Sequence, residues 1–308
     1  MLQKRISSSF ICLALFLSLL LSFSQSIAAP TTKWESFESG YTLGQPVGSH
    51  VDWYDAGGGP VVTIGNGVAG SVGLAPANNI FTWNATAYRF NWNAPEFRGV
   101  VFQMDFQSNA SSQFDDDRIG WMTTDANVES ANFFGVQLDT SDGGIVTYWR
   151  DSSNTRIQTP IASLTGIKSD TWYRFTAEIT KLTATSAKID VVLVELDVNG
   201  IPTGAPITGT VDDTSTWPDG APDTSYFTAT TMWPAYKNYS AIPGAADNAY
   251  FQTIERFAFV VTTDWHTSDA QATVESNLQQ IRYWIDNPIT DMPAPEFMVI
   301  TGDFPNLS

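Results

Sequence analysis

The sequence has little cysteine, little histidine and few basic residues. Of its 308 residues, Cys accounts for 1, His for 2, and Lys plus Arg for 15, against 32 Asp plus Glu. Because nucleic acids need clustered cations to neutralise their phosphates, the formal net charge of −17 excludes them as partners. The same charge argues against an anionic membrane surface or an acidic polyelectrolyte as a partner, and it favours the binding of divalent cations.

The first 28 residues have the pattern of a secretory signal peptide. Lys4 and Arg5 precede an apolar run over residues 10–21, and small residues at 26–28 provide a cleavage site. The run is short for a membrane-spanning helix. Cleavage would also remove Cys12, and with it any disulfide or thiolate metal ligand. We therefore expect a secreted protein, extracellular or periplasmic, with no transmembrane segment after cleavage.

Short β-rich runs separated by turn residues fill residues 31–255. Along residues 99–106, for example, Val100, Phe102, Met104 and Phe106 recur at every second position, as on a strand with one buried face. Similar runs predict strands at 133–138, 145–149, 172–179 and 189–198. No stretch of helical periodicity precedes residue 265. Many strands of this kind predict an all-β jelly-roll sandwich.

Several segments of this region resemble the concanavalin A-like, laminin G-like jelly-roll domains. They are residues 34–38 with 44–48, 115–121, 132–138 and 246–251. The resemblance implies a binding or adhesive module for a carbohydrate or a cell-surface polymer. The acidic triplet Asp115, Asp116 and Asp117 is then a possible calcium site, since calcium takes carboxylate ligands, and the alternative is a solvated acidic loop.

Two further features of the β region leave alternatives open. The 11 tryptophans could include a sugar-stacking platform, although aromatic residues of this size more often fill the core. Glu195 and Asp197 lie two residues apart and could share a strand face, as the two carboxylates of a jelly-roll glycosidase must. A third acid at similar spacing is missing, so a glycosidase is the weaker alternative.

The pattern changes at residue 256. A nearly continuous apolar run at 256–263 predicts a strand buried on both faces, and residues 268–285 have a capping box and helical spacing. A second buried strand is predicted at 297–300. Asp264, His266 and Asp303 follow these strands directly. In a right-handed β-α-β unit the strands are parallel, so these side chains can converge on one ion beyond the carboxyl ends.

This arrangement resembles the beginning of a calcineurin-like metallophosphoesterase domain. The matching residues are Asp264-x-His266 after the first strand and Gly302-Asp303 after the second. The resemblance implies that Asp264 and His266 bind one metal ion and that Asp303 bridges two divalent ions, Zn, Mn or Fe. Such a centre hydrolyses phosphate mono- or diesters with a metal-bound hydroxide.

The remaining histidines of that family have no counterpart here. The chain has only His50 and His266. We therefore expect a signal peptide at 1–28, a jelly-roll domain at 31–255 and, at 256–308, an N-terminal fragment of the phosphoesterase domain that is inactive alone. The predicted function is that of a secreted metallophosphoesterase fused to a binding module. The alternative is a secreted carbohydrate-binding or adhesive jelly-roll protein with a vestigial tail.

Overall fold

The computed structural model describes residues 31–55, 59–77, 80–124, 132–238, 244–255, 259–263 and 297–301. These residues are almost entirely β-structure, with one short helix, α1 (Ser225–Thr228). In chain order, the strands are β1 (Thr32–Glu35), β2 (Trp53–Asp55), β3 (Val62–Ile64), β4 (Val72–Leu74), β5 (Ile80–Trp83), β6 (Phe97–Gln107), β7 (Asp117–Met122), β8 (Phe133–Asp139), β9 (Gly144–Arg150), β10 (Arg156–Ile157), β11 (Pro160–Ala162), β12 (Trp172–Lys181), β13 (Ala187–Leu196), β14 (Pro202–Val211), β15 (Trp233–Lys237), β16 (Ala246–Glu255), β17 (Phe259–Thr263) and β18 (Phe297–Thr301).

Two antiparallel sheets form a jelly-roll-like sandwich, as the sequence predicts. The first sheet has the order β14-β13-β12-β6-β16-β4-β3, and β1 also pairs with β16. The second sheet has the order β10-β9-β8-β7-β15-β5-β2, and β11 also pairs with β9. The predicted strands at 99–106, 133–138, 145–149, 172–179 and 189–198 correspond to β6, β8, β9, β12 and β13.

Alternation along the strands sends one apolar face of each sheet into a shared core. On β6, the four apolar side chains at positions 100, 102, 104 and 106 are buried, as predicted. Aromatic residues fill much of the space between the sheets, and the four largest of the fully buried ones are Trp83, Trp92, Trp121 and Trp149. The opposite face of the second sheet is also partly apolar, since Ile80, Met122, Phe133, Tyr148 and Ala235 form a second, smaller buried cluster there.

A separate pair of strands lies near the end of the sequence. β17 and β18 pair in parallel, with Phe259 opposite Phe297, which is the direction expected for the two predicted strands. The segment that would connect them lies outside the described residues, so a β-α-β unit is not shown. Within the described ranges, no helix has the length and apolar character needed to cross a membrane.

Candidate functional site

A row of five directly paired residues crosses the centre of the outer face of the second sheet, and most of them are small. Thr82, Ala235, Gly120, Gly135 and Tyr148 lie side by side on five neighbouring strands. The two glycines face each other on β7 and β8, where a Cβ atom would come within 2.1–2.2 Å of the neighbouring strand's backbone oxygen. Only glycine fits such a close strand pair, and the outer face consequently has no side chains at this point.

Arg118 and Tyr148 contact each other across the strand that carries Gly135. The guanidinium carbon of Arg118 lies 3.6 Å from the centroid of the Tyr148 ring, although their strands are separated by β8. The Phe133 ring lies edge-on to Tyr148, with 5.8 Å between centroids. A guanidinium this close to an aromatic ring gains a favourable cation–π interaction, which is strengthened when both groups are shielded from water. The site thus has a cation held against an aromatic wall.

A second cation lies beside the first. Lys237 on β15 is the direct cross-strand neighbour of Arg118, and the Asp116 carboxylate pairs with both side chains. Arg118 and Lys237 are both buried. Burial, followed by repulsion from Arg118, lowers the pKa of the Lys237 ammonium, and Asp116 opposes this shift. Asp116 therefore lies between two buried cations, and the acids Asp115, Asp117 and Asp139 lie close to the same group.

A hydrogen-bond network extends from Arg118 toward the edge of the sheet. The Arg118 Nε–H donates to Gln137 Oε1 at 3.0 Å, and Gln137 Nε2 donates to Asp139 Oδ2 at 2.7 Å. Asp139 Oδ1 in turn accepts bonds from the backbone N–H and the hydroxyl of Ser141. These contacts fix the guanidinium and leave its Nη1 for another partner.

Several buried polar atoms on this face have no hydrogen-bond partner within the described part of the chain. At the centre they are Thr82 Oγ1, Arg118 Nη1 and Tyr148 Oη, whose residues are 2%, 3% and 1% exposed. Each unsatisfied buried group disfavours folding by about 1–3 kcal/mol. Thr82 and Tyr148 lie at the two ends of the five-strand row, about 19 Å apart at about 4.8 Å per strand, so the unsatisfied hydrogen-bonding capacity is spread along the row.

At the rim of the same face, Arg150 also has a buried polar atom without a partner among the described residues. Arg150 follows Tyr148 by two residues on β9, so both side chains leave the sheet on the same side. Arg150 lines an open polar cleft of about 230 Å³ together with Asn132, Asp151 and Asp223. Its Nε atom has no hydrogen-bond partner among the described residues. The cleft therefore gives solvent access at one end of the buried centre.

A second part of the rim is formed by Arg89 and Trp233. The guanidinium carbon of Arg89 lies 5.4 Å from the centroid of the Trp233 ring, and both residues are half-buried. Within the described ranges, neither Arg89 Nε nor Trp233 Nε1 has a hydrogen-bond partner. The rim thus repeats the combination seen at the centre, an arginine next to an aromatic ring with free donors.

The predicted calcium ligands lie at one end of this face. Asp116 is engaged by the two cations, and Asp117 is buried. Burial, and next the neighbouring Asp139 carboxylate, raises the pKa of Asp115. Over the described residues, no group of three or more His, Cys, Asp or Glu side chains is placed to hold a metal ion. The calcium site stays a prediction.

The predicted phosphoesterase ligands Asp264, His266 and Asp303 lie outside the described residues. Their metal centre stays a prediction too, and nothing in the described part supports a phosphate ester as substrate. The glycosidase alternative loses its geometry, because the Asp197 carboxylate accepts the backbone N–H groups of Asn199 and Ile201 in a turn after β13. Those bonds lower the pKa of Asp197.

Comparison with known proteins finds structural neighbours only. No protein-family model matches the chain, and no curated protein matches it. A PL-14 alginate lyase from Aplysia kurodai has a TM-score of 0.43 at 11% identity, covering 73% of this chain and 100% of its own. Arcelin-5, a lectin-like defence protein from Phaseolus vulgaris, has 0.42 at 7% identity, covering 73% and 100%.

A lectin from Bauhinia forficata in complex with GalNAc has a TM-score of 0.40 at 10% identity, and it covers 74% of this chain and 99% of its own. These neighbours are jelly-roll lectins and alginate lyases. Because the scores and identities are this low, the fold assignment rests on the two sheets themselves, and no function passes from the neighbours to this chain.

Proposed function

We propose that this chain is a carbohydrate-binding jelly-roll protein that holds an acidic saccharide on the outer face of its second sheet. The observation that carries the proposal is a set of buried hydrogen-bonding atoms without partners among the described residues, on Thr82, Arg118 and Tyr148, spread along the row that contains the glycine pair. A ligand that supplies both donors and acceptors would satisfy them together. Sugars do so, since each hydroxyl is a donor and an acceptor.

The aromatic rings on this face support a saccharide over a smaller polar ligand. Tyr148 and Phe133 stand at the centre, and Trp233 stands at the rim. Tyr and Trp combine an apolar ring with a hydrogen-bonding tip, which suits a ligand that has both C–H faces and hydroxyl edges. Known ligand sites commonly combine apolar walls with a few polar groups of this kind.

The cations on this face indicate that the saccharide is acidic. The chain has only 15 Lys plus Arg residues. Five of them, Arg89, Arg118, Arg150, Arg156 and Lys237, gather on this face. Acids lie among these cations, with Asp116 between Arg118 and Lys237 and with Asp151 and Asp223 beside Arg150, so the proposal rests on the guanidinium groups themselves and not on a net positive charge. A guanidinium fork also matches the geometry of a uronate carboxylate.

Electrophoresis in native gels that contain polygalacturonate tests this proposal. We expect the gel to retard the wild-type chain, and added salt should weaken the retardation. Arg150→Ala removes a half-buried donor at the cleft and should raise the apparent Kd at least about fivefold, because hydrogen bonds to charged groups contribute about 1.5–3 kcal/mol. Lys188→Ala, on the first sheet, removes the same charge elsewhere and serves as the matched control.

Two results would contradict the proposal. The first is a wild-type chain that migrates equally with and without polygalacturonate. The second is equal loss of retardation in Arg150→Ala and Lys188→Ala, which would mean that only net charge matters. Repeating the gels with calcium or with a chelator tests the prediction that Asp115, Asp116 and Asp117 hold calcium.

A further inference from the structure

The outer face of the first sheet carries an open row of side chains, which is separate from the proposed acidic-saccharide site on the second sheet. Six strands contribute one residue each to this row, and successive members are direct cross-strand neighbours. In spatial order they are Trp34, Tyr250, Gln103, Thr176, Val192 and Thr208. With neighbouring strands about 4.8 Å apart, the row spans about 24 Å.

Two aromatic rings form one end of the row. Trp34 is 47% exposed, and its ring centroid lies 6.0 Å from that of Tyr250. The Arg174 guanidinium lies 6.0 Å from the Trp34 ring and is held in place by two bonds to the buried Asp105 carboxylate, at 2.8 and 2.9 Å. Trp34 is therefore an exposed ring beside a fixed neighbour. Single exposed apolar residues are common, but one that begins an ordered row is not.

The rest of the row is polar or small and carries no charge. Gln103, Thr176 and Thr208 supply amide and hydroxyl groups, and Val192 supplies an apolar patch. Beside the row, Tyr250 Oη donates to Gln252 Oε1. The two neighbouring cations are each paired with an acid, Arg174 with Asp105 and Lys188 with Asp190, and Glu178 adds a further negative charge. An anionic ligand would be repelled here, whereas a neutral one would not.

We propose that this row binds a neutral polysaccharide chain laid across the strands, with Trp34 as its stacking anchor. A flat, exposed row suits an extended polymer and offers no enclosed cavity for a small ligand. A second copy of this chain is disfavoured as occupant, because each copy carries a net charge of −17. The inference does not depend on the acidic-saccharide site, since no residue is shared between the two faces.

Native gels that contain a neutral polysaccharide test the row directly. The probes are a soluble mixed-linkage β-glucan, a galactomannan and soluble starch. We expect at least one of them to retard the wild-type chain, and Trp34→Ala to weaken that retardation at least about tenfold, as the loss of an aromatic anchor typically does. Leu43→Ala is the matched control, because Leu43 is an exposed apolar residue (49%) outside the row.

Further variants separate binding from misfolding and from the other face. Gln103→Leu keeps the size of the side chain but removes the amide, and it should also weaken retardation. Arg150→Ala should leave it unchanged. The proposal is overturned if no neutral probe retards the wild-type chain, or if Trp34→Ala behaves as Leu43→Ala does.

Two other outcomes would assign the row to a different occupant. A dimer in sedimentation experiments that dissociates on Trp34→Ala would make the row a self-association surface and overturn the proposal. Loss of polygalacturonate binding in Trp34→Ala would place an acidic saccharide there, and it would equally overturn the neutral assignment.

Discussion

The two outer faces of the sandwich differ in how they place charged and aromatic side chains. The second face buries charge at its centre, with Arg118 and Lys237 sharing Asp116 around a glycine pair. The first face has a neutral row open to solvent, with the exposed Trp34 at one end. Both faces come from strands whose inner positions fill one core.

The difference concerns the outer positions of the alternating strands, which do not face the shared core. Inner positions must pack, so they are apolar in both sheets. Outer positions do not face this core, although those of the second sheet include a small buried apolar cluster of their own. Buried charges interact strongly and are screened little, whereas exposed ones contribute little. We therefore expect substitutions on the second face to change stability and binding together, and those on the first face to change binding alone.

The largest expected effect comes from removing the shared carboxylate of the second face. Asp116→Asn removes the carboxylate that pairs with both Arg118 and Lys237, and breaking a buried ion pair in this way destabilises by about 3–5 kcal/mol. Asn tolerates the positive φ of 59° at this position, so the backbone need not change. Urea unfolding measures the free energy.

The matched change on the first face is Asp190→Asn, whose partner Lys188 is partly exposed. It should leave the free energy of unfolding unchanged within error. Equal effects of the two substitutions would remove the contrast between a buried and an open face.

Asp247 is an acid buried on the first face, and its titration should make the free energy of unfolding depend on pH. The pKa of Asp247 is raised from 3.8 to about 7, chiefly by burial and in smaller part by Asp105 opposite it, against the lowering effect of hydrogen bonds from the Val68 and Asn248 N–H groups. Because the folded state keeps this proton when the unfolded state has lost it, Asp247 contributes stability at low pH. That contribution falls as pH rises from about 4 to about 7.

The comparison of wild type with Asp247→Asn isolates this contribution. Between these pH values, the wild-type free energy of unfolding should fall relative to the variant by up to about 4 kcal/mol. Urea titrations at four or five pH values give the difference. A difference that stays constant, or one that rises with pH, would show that the carboxyl is ionised throughout.

The smallest effect distinguishes an unsatisfied hydroxyl from a satisfied one. Tyr148 Oη has no hydrogen-bond partner among the described residues, whereas Tyr236 Oη donates to the Tyr250 carbonyl at 2.7 Å. Tyr148→Phe should therefore stabilise the chain by about 1 kcal/mol and weaken polygalacturonate binding, while Tyr236→Phe should destabilise it by about 1 kcal/mol. Thermal unfolding compares the two. Destabilisation by both variants would mean that Tyr148 Oη has a structural partner.

Much of the fold could be predicted from the sequence, because a period of two is visible wherever one face is buried. The four buried side chains of β6 are an example, and the closing segment at 246–251 does form the beginning of β16. The central strand β15 could not be predicted, because Pro234 lies within it and proline is typical of edge strands or loops. That strand supplies Lys237 and Trp233.

The candidate site could not be predicted, because its members meet only through strand pairing. Asp116 and Lys237 are separated by 121 positions in the chain, and they meet because β7 and β15 are neighbours. The acidic triplet at 115–117 suggests cation binding, and the structure supplies Arg118 and Lys237 to Asp116. That two of the few cations of an acidic chain meet on one face also cannot be inferred from net charge, which is a sum over the whole chain.

Titration with tetragalacturonate, followed by NMR of the arginine Nε–H signals, tests the central claim most directly. Signals assigned through single-arginine variants report each guanidinium separately. The account predicts saturable shifts for Arg118 and Arg150 on the second face and none for Arg174 on the first. Shifts confined to Arg174, or no saturable shift in Arg118 and Arg150, would contradict it.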